Sequence, residues 1–180
     1  MGAALARAAL QMGAEVTVVT GPTHESFPPQ IRVIRVDTAL EMLDAARPHA
    51  ESANWIIGAA AVADYRPAEA ATTKIRRSAE AIQLDLVPNP DVIAELAKIC
   101  KGRVIGFAAE PGTDLQEARA KLARKGLFAI AMNDISNPTV GFDSDHNQLT
   151  LVTTKSEPIS SILQSKLLCA IWLFDNLMKL

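Results

Sequence analysis

Short apolar runs alternate with amphipathic stretches along this chain. Residues 2–12 are rich in alanine and leucine and predict a helix that Gly13 ends. Residues 15–19, Glu-Val-Thr-Val-Val, predict a strand, and residues 31–36, where Ile and Val are interleaved with arginines, predict another. Thr38 and Glu41 stand at capping-box spacing for a helix to about residue 46, with Pro48 leaving its far end open. Trp55-Ile56-Ile57 is apolar and reads as a buried strand. Residues 66–80 have little apolar periodicity and read as a flap, mobile without ligand. Residues 82–86 alternate, which predicts a strand with one buried face. In Asn89-Pro90-Asp91, Asn89 reads as a helix cap and Pro90 as the first helical position, with the helix running to about residue 100. Residues 103–107 form another apolar strand. The charged stretch 114–125 predicts a helix ended by Gly126. The uninterrupted apolar run 127–132 suits a parallel sheet buried on both faces. Residues 133–147 read as a long polar loop and 148–153 as a strand. Ser160 or Ser161 then starts a last helix, apolar nearly all round, which should be buried or docked on a partner.

Helices and strands in this alternation predict an α/β three-layer domain with a mostly parallel sheet. The opening helix and strand look like part of a Rossmann-like unit, which needs a strand before its first helix. That strand and the loop after it are expected to be missing from the chain. No repeat, low-complexity segment or linker divides residues 1–180, so one nucleotide-binding domain is expected.

Composition narrows the function. Hydrophobic residues make up 49% of the chain, charged residues 21%, and the net charge is −2. There is no electrostatic case for nucleic acid or an anionic membrane. No apolar run is long enough for a membrane span. Residues 167–180 are strongly apolar but short, and contain Asp175 and Lys179. No secretory signal is visible, and a cytoplasmic location is expected. Cys100 and Cys169 have no ligand-like spacing with His24, His49 or His146, so both read as reduced thiols. No Ser or Cys nucleophile motif surrounds His24, which reads as a solvated loop residue. No metal site built from protein ligands is expected.

The candidate chemistry starts at Gly58-Ala59-Ala60-Ala61-Val62-Ala63-Asp64-Tyr65. Small residues after a strand let backbone approach a flat ligand, and in open α/β sheets ligands sit beyond the carboxyl ends of the strands. Asp64 is placed to take ribose hydroxyls, and Lys74, in the basic cluster Lys74-Ile75-Arg76-Arg77, to take phosphate. The same residues also read as close packing with Asp64 capping a turn. Phe107, at the end of its strand, can flank a nucleobase or fill the core. Lys121 and Lys125 share a helix face, which by itself reads as a solvated surface near Glu117 and Arg124.

The stretch from Ala60 to Tyr65, followed by Lys74-Ile75, resembles the signature of bacterial phosphopantothenate–cysteine ligases. These commonly form the C-terminal half of a bifunctional decarboxylase/ligase of coenzyme A biosynthesis. Further matches follow in order: Asn89-Pro90-Asp91-Val92-Ile93, Gly106-Phe107-Ala108-Ala109-Glu110, Lys121 with Lys125, and Asn133-Asp134 through Gly141-Phe142, Ser144-Asp145 and Asn147. The resemblance implies a Rossmann-like homodimer that joins 4′-phosphopantothenate to cysteine through an acyl-cytidylate made from CTP. It implies that Gly58, Ala59 and Ala60 present backbone to CTP and that Asp64 sits near the ribose. Pro90, Asp91, Val92, Ile93 and Phe107 would line the nucleotide pocket. Lys74 would bind phosphate and act in catalysis, and Lys121 and Lys125 would complete the phosphate site. Mg²⁺ held mainly by nucleotide phosphates is implied, and FMN only where a decarboxylase domain precedes this one. In the resembled family the segment expected to be missing carries a Gly-Pro-Thr motif and a Ser-Ser-Gly-Lys loop with a catalytic asparagine. Arg76 stands where lysine is common in the family, and it receives no role.

Two other classes stay open. The opening helix and strand suit an NAD(P)-dependent reductase, but Tyr65 has Glu69 rather than Lys four positions on, and the full Gly-x-Gly-x-x-Gly fingerprint is absent. The other class is a nucleotide-binding module inactive for want of its N-terminal segment.

Overall fold

The alternation of elements read from the sequence recurs in the computed structural model, which describes residues 1–77, 81–110, 112, 114–134 and 144–180. The order is α1 (Gly2–Gln11), β1 (Thr17–Thr20), β2 (Arg32–Arg35), α2 (Ala39–Ala50), β3 (Trp55–Gly58), β4 (Tyr65–Pro67) and β5 (Leu86–Pro88). Then come α3 (Val92–Ala97), β6 (Arg103–Glu110), α4 (Leu115–Lys125), β7 (Ala129–Asp134) and β8 (His146–Asn147). The chain closes with β9 (Thr150–Thr153), β10 (Ile159–Ser160), β11 (Gln164–Ser165) and α5 (Lys166–Leu177).

Among the described residues, the main sheet has the order β10-β9-β7-β6-β3. Strands β3, β6 and β7 are parallel, with Ile57 beside Ile105 and Ile105 beside Ala129, while β9 runs antiparallel to β7 and β10 antiparallel to β9. Successive side chains of a strand face opposite ways, and the core divides accordingly. Ile105, Ala129, Ala131 and Leu151 pack under α1 and α5, meeting Ala4, Leu5, Ala8, Cys169, Leu173 and Leu177. Val104, Ile130, Met132 and Val152 face the other way, against Ala118 and Leu122 of α4. Leu43 and Ala50 of α2 join Leu96 of α3 on that same side, where Ile56 of β3 packs against both groups. The result is the expected α/β arrangement, helices on both faces of a mostly parallel sheet.

β1 and β2 pair in parallel with each other, but not with the main sheet. Both β1 and β3 line one cavity of about 1550 Å³. β3 is therefore an edge strand of its sheet, and its residues are only half-buried where the apolar run Trp55-Ile56-Ile57 reads as fully buried. One cation secures this side of the fold. The Arg103 guanidinium lies 4.4 Å from the Phe128 ring centroid and 5.8 Å from that of Trp55, and donates to the Leu177 carbonyl at 2.7 Å. It ties the start of β6 to the C-terminal end of α5, where unpaired carbonyls attract cations.

Local signals placed several helix ends. The Thr38 side chain accepts from the Glu41 N–H, and the Glu41 carboxylate accepts from the Thr38 N–H, the reciprocal box anticipated for α2. That helix runs past Pro48 to Ala50, because Ala50 is wanted in the core beside Leu43 and Leu96. Asp114 caps α4, and Gly126 ends it in the left-handed conformation at φ +65°.

Three further expectations differ. Residues 82–86 do not form a half-buried strand. Only Leu86–Pro88 pairs, antiparallel to β4, and Ile82, Leu84 and Leu86 are all more than half exposed. The alternation is present, but among the described residues no layer of the domain lies beneath it to bury one face. α3 begins two residues later than the Asn-Pro-Asp motif suggests. Asp91, not Asn89, is its cap, accepting from the Ala94 N–H at 3.2 Å. The last helix begins after Ser165 rather than at Ser160 or Ser161. The Ser161 hydroxyl is buried and accepts instead from the Leu149 N–H at 3.0 Å, so a long-range partner wins over the local cap. The flap of residues 66–80 is described as far as Arg77: after β4 it has no regular structure and is exposed, and 78–80 lie outside the described residues. Of the long polar loop, 135–143 lie outside them too, while Asn133 and Asp134 belong to β7.

Candidate functional site

The carboxyl ends of β3, β6 and β7 open onto the same cavity that separates β3 from β1, the place where open α/β sheets bind ligands. Of the residues singled out in the sequence, Gly58, Ala59, Ala60, Asp64, Pro90, Asp91, Val92, Ile93, Phe107, Lys121 and Lys125 all line it. They come from two strands, two loops and two helices that the sequence separates by up to 67 positions. Lys74 does not line it. It is exposed, within the irregular stretch between β4 and β5.

The small residues have a definite use. A Cβ on Gly58 would stand 2.7 Å from Ile93 Cδ1, closer than real side chains approach. Glycine thus lets the first turn of α3 lie against the end of β3, and this contact brings the two walls of the cavity together. The close-packing interpretation of Gly58 is satisfied by Ile93, and the cavity-lining interpretation holds beside it. Phe107 is likewise half-buried, packing against the core under α1 and α5 while facing the cavity.

Asn89, released from capping, holds the loop after β3. Its Nδ2 donates to the Ala63 carbonyl at 2.9 Å and its backbone N–H to the Asp64 carbonyl at 2.7 Å. Arg66 Nη1 donates to the Pro88 carbonyl at 2.6 Å and to Asn89 Oδ1 at 3.3 Å. The Asp64 side chain is exposed, and among the described residues no hydrogen bond or ion pair engages its carboxylate. Such a carboxylate can accept two hydroxyl donors at once. The sequence pattern gave Arg66 no role. Its signal was weak: a lone arginine at the start of an irregular segment.

Asp91 has two tasks. Oδ1 caps α3, and Oδ2 pairs with Lys125 Nζ at 2.9 Å. Lys121 lies one turn earlier on α4 and is half-buried in the cavity wall. The two lysines share this wall, Lys125 balanced by Asp91, while Arg124 is paired with Glu117 at 3.5 Å. Among the described residues no group of three His, Cys, Asp or Glu side chains could hold a metal ion. The carboxylates that line the cavity among the described residues, Glu15, Glu25, Asp64 and Asp91, do not gather into such a group. That set fits a hard cation that arrives on phosphate oxygens and does not fit a resident all-protein cage.

Residues 1–180 match the family model described as DNA/pantothenate metabolism flavoprotein C-terminal domain. The chain is 41% identical over 173 residues to the coenzyme A biosynthesis bifunctional protein CoaBC of Escherichia coli K12. That match covers 93% of this chain and 43% of the relative, so the chain spans less than half of the length of this curated relative. Among solved structures, the C-terminal domain of a CoaBC protein superposes with a TM-score of 0.79 at 30% identity, over 98% of this chain and 79% of that one. The Cab2 mutant H337A, in complex with phosphopantothenate-cysteine, shares the fold with a TM-score of 0.75 at 14% identity, over 99% of this chain and 76% of that one.

Proposed function

The chain belongs to the DNA/pantothenate metabolism flavoprotein C-terminal domain family, and on that premise we propose that it is a phosphopantothenate–cysteine ligase domain driven by CTP. The observation that carries this is the convergence, on one cavity at the strand ends, of the nucleotide-binding residues expected from the sequence, Lys74 excepted. The identity of 41% to a bifunctional coenzyme A biosynthesis protein supports it.

In this reading the carboxylate of 4′-phosphopantothenate attacks the α-phosphate of CTP, and pyrophosphate leaves. The amine of cysteine then attacks the acyl-cytidylate, the amide forms and CMP leaves. The chain's part is to bind, orient and neutralise charge. Asp64 takes the ribose hydroxyls. Gly58, Ala59 and Ala60 present backbone to the nucleotide, and Pro90, Asp91, Val92, Ile93 and Phe107 enclose it. Lys121 and Lys125 receive the phosphates. Lys74 reaches the cavity only if its segment closes over the bound triphosphate. Magnesium comes with the nucleotide, held mainly by phosphate oxygens, and offsets their charge. FMN belongs to this protein only where a decarboxylase domain precedes the ligase.

We also read the protein as a cytoplasmic homodimer. Among the described residues no helix is long and apolar enough to cross a membrane. The division between β1 and β3 supports one qualification: a further parallel strand seated there completes the sheet, and turnover depends on it. The test is CMP release that requires both phosphopantothenate and cysteine, measured on this chain and on one extended by such a strand. CMP release by neither, with NADPH binding in place of CTP, overturns the ligase reading in favour of a reductase. CTP binding without turnover in both leaves a nucleotide-binding module.

A further inference from the structure

We propose that Asn89, braced by Arg66, is a positioning residue that presents the Asp64 carboxylate to the sugar of the nucleotide. The inference rests on the nucleotide reading of the cavity and adds a residue to it. Three bonds converge on Asn89. Its side-chain amide and backbone N–H hold the carbonyls of Ala63 and Asp64, at 2.9 and 2.7 Å, and Arg66 engages its Oδ1 at 3.3 Å. Arg66 also takes the Pro88 carbonyl at 2.6 Å, so the amide cannot turn over without losing both a donor contact and an acceptor contact. The Ala63–Asp64 backbone is therefore pinned at two consecutive carbonyls, while the Asp64 carboxylate itself has no partner among the described residues. A pinned backbone with an unengaged carboxylate facing a cavity is a preorganised acceptor.

The same three-residue segment reaches the phosphate wall. Asp91, two positions on, holds Lys125 Nζ at 2.9 Å. Pro90 between them restricts the backbone. Asn89-Pro90-Asp91 thus spans from the acid to the ammonium and sets their separation, a geometry suited to a ligand carrying vicinal hydroxyls at one end and phosphate at the other. Capping of α3 does not need Asn89, because Asp91 does it.

The experiment is a double-mutant cycle read by binding, with hydrogen exchange alongside. Asn89→Ala is expected to weaken cytidine and CTP alike, by about tenfold, and to leave inorganic triphosphate unchanged. In an Asp64→Ala background the same change is expected to cost less than about twofold, since Asn89 acts through that carboxylate. Asn89→Asp, which keeps the acceptor for Arg66 but loses the donor to Ala63, is expected to behave like the alanine variant. Equal losses with and without Asp64, or weakened triphosphate, overturn the proposal and assign Asn89 a general structural role. Exchange needs no ligand: amides 61–66 are expected to exchange at least about tenfold faster in Asn89→Ala, with β7 unchanged. Unchanged exchange there overturns the positioning role even if CTP binds to neither protein, whereas absence of CTP binding in the wild type with faster loop exchange strikes only the ligase reading.

Discussion

Lys125 sits between two partners, one present and one proposed. Its ammonium is held by Asp91 at 2.9 Å, and the side chain is only 28% exposed, so it is positioned before any ligand arrives. Lys121 faces the same cavity from the preceding turn. If both receive phosphate, replacing either by alanine should weaken CTP by about ten- to a hundredfold, the worth of a charge-assisted hydrogen bond, and cytidine by less than about twofold. Calorimetric titration of both ligands checks this, and equal weakening would point to damage to the fold. Lys74 calls for a different measurement. Exposed and away from the cavity, it contributes little to packing, so Lys74→Ala should leave the melting temperature unchanged. Removing one donor matched to developing charge costs about 3 to 4 kcal/mol of barrier, so CMP release should fall by roughly a hundred- to a thousandfold. Lys74→Arg should rescue poorly, because a planar fork does not replace a compact point charge. Normal turnover in Lys74→Ala would remove this residue from catalysis.

At the scale of elements, the segment between β4 and β5 stands apart from the rest. Residues 68–77 are exposed and irregular, and Ala68 N–H to the Asp85 carbonyl at 2.9 Å is the backbone bond that extends the ribbon into it. With few apolar anchors, such a segment opens at little free-energy cost. Amides 68–77 should therefore exchange rapidly in the free protein and become protected by at least about tenfold when CTP is bound, with Lys74 drawn over the triphosphate. Equal, slow exchange in both states would exclude closure. The walls of the cavity behave differently. Ile93 against Gly58 and Leu127 against Gly106 are contacts that a single Cβ would disturb, so β3, β6 and α3 form a rigid frame for the loops they carry.

For the whole molecule, the ribbon of β4 and β5 exposes Tyr65 and Leu86, and the segment leading into β5 exposes Ile82 and Leu84, each more than half accessible. A two-stranded ribbon is marginal by itself in water, and exposed apolar side chains on and beside it are candidates for an interaction surface. As part of the homodimer reading, this surface is expected to meet a second copy. Sedimentation equilibrium should give twice the 19.3 kDa of the chain, and Leu84→Asp with Leu86→Asp should return it to the monomer without lowering the melting temperature. A wild-type monomer at high concentration would refute the dimer, and a dimer in the double variant would move the interface elsewhere.

The sequence by itself determined what short-range chemistry can decide. The Thr38–Glu41 box and the Gly126 stop of α4 each involve residues within a turn of one another, and each was legible, whereas Asp114 was placed only as the approximate start of α4. The alternation of apolar strands with helices indicated the layered sheet, and the ordered motifs indicated the cavity residues. Tertiary structure decided the rest wherever a side chain had a distant alternative. Ser161 gave up a local cap for Leu149, because a polar group takes the partner that the fold brings to it when burial removes water as a competitor, and the half-buried Asn89 gave up its cap for the Ala63 carbonyl that the loop after β3 places beside it. The alternation at residues 82–86 predicted a buried face, yet whether a layer lies beneath a strand is a property of the assembled sheet and not of the pattern. The separation of β1 from β3 is of the same kind. Strand order depends on hydrogen bonds between segments 38 residues apart in the chain, which no local periodicity encodes.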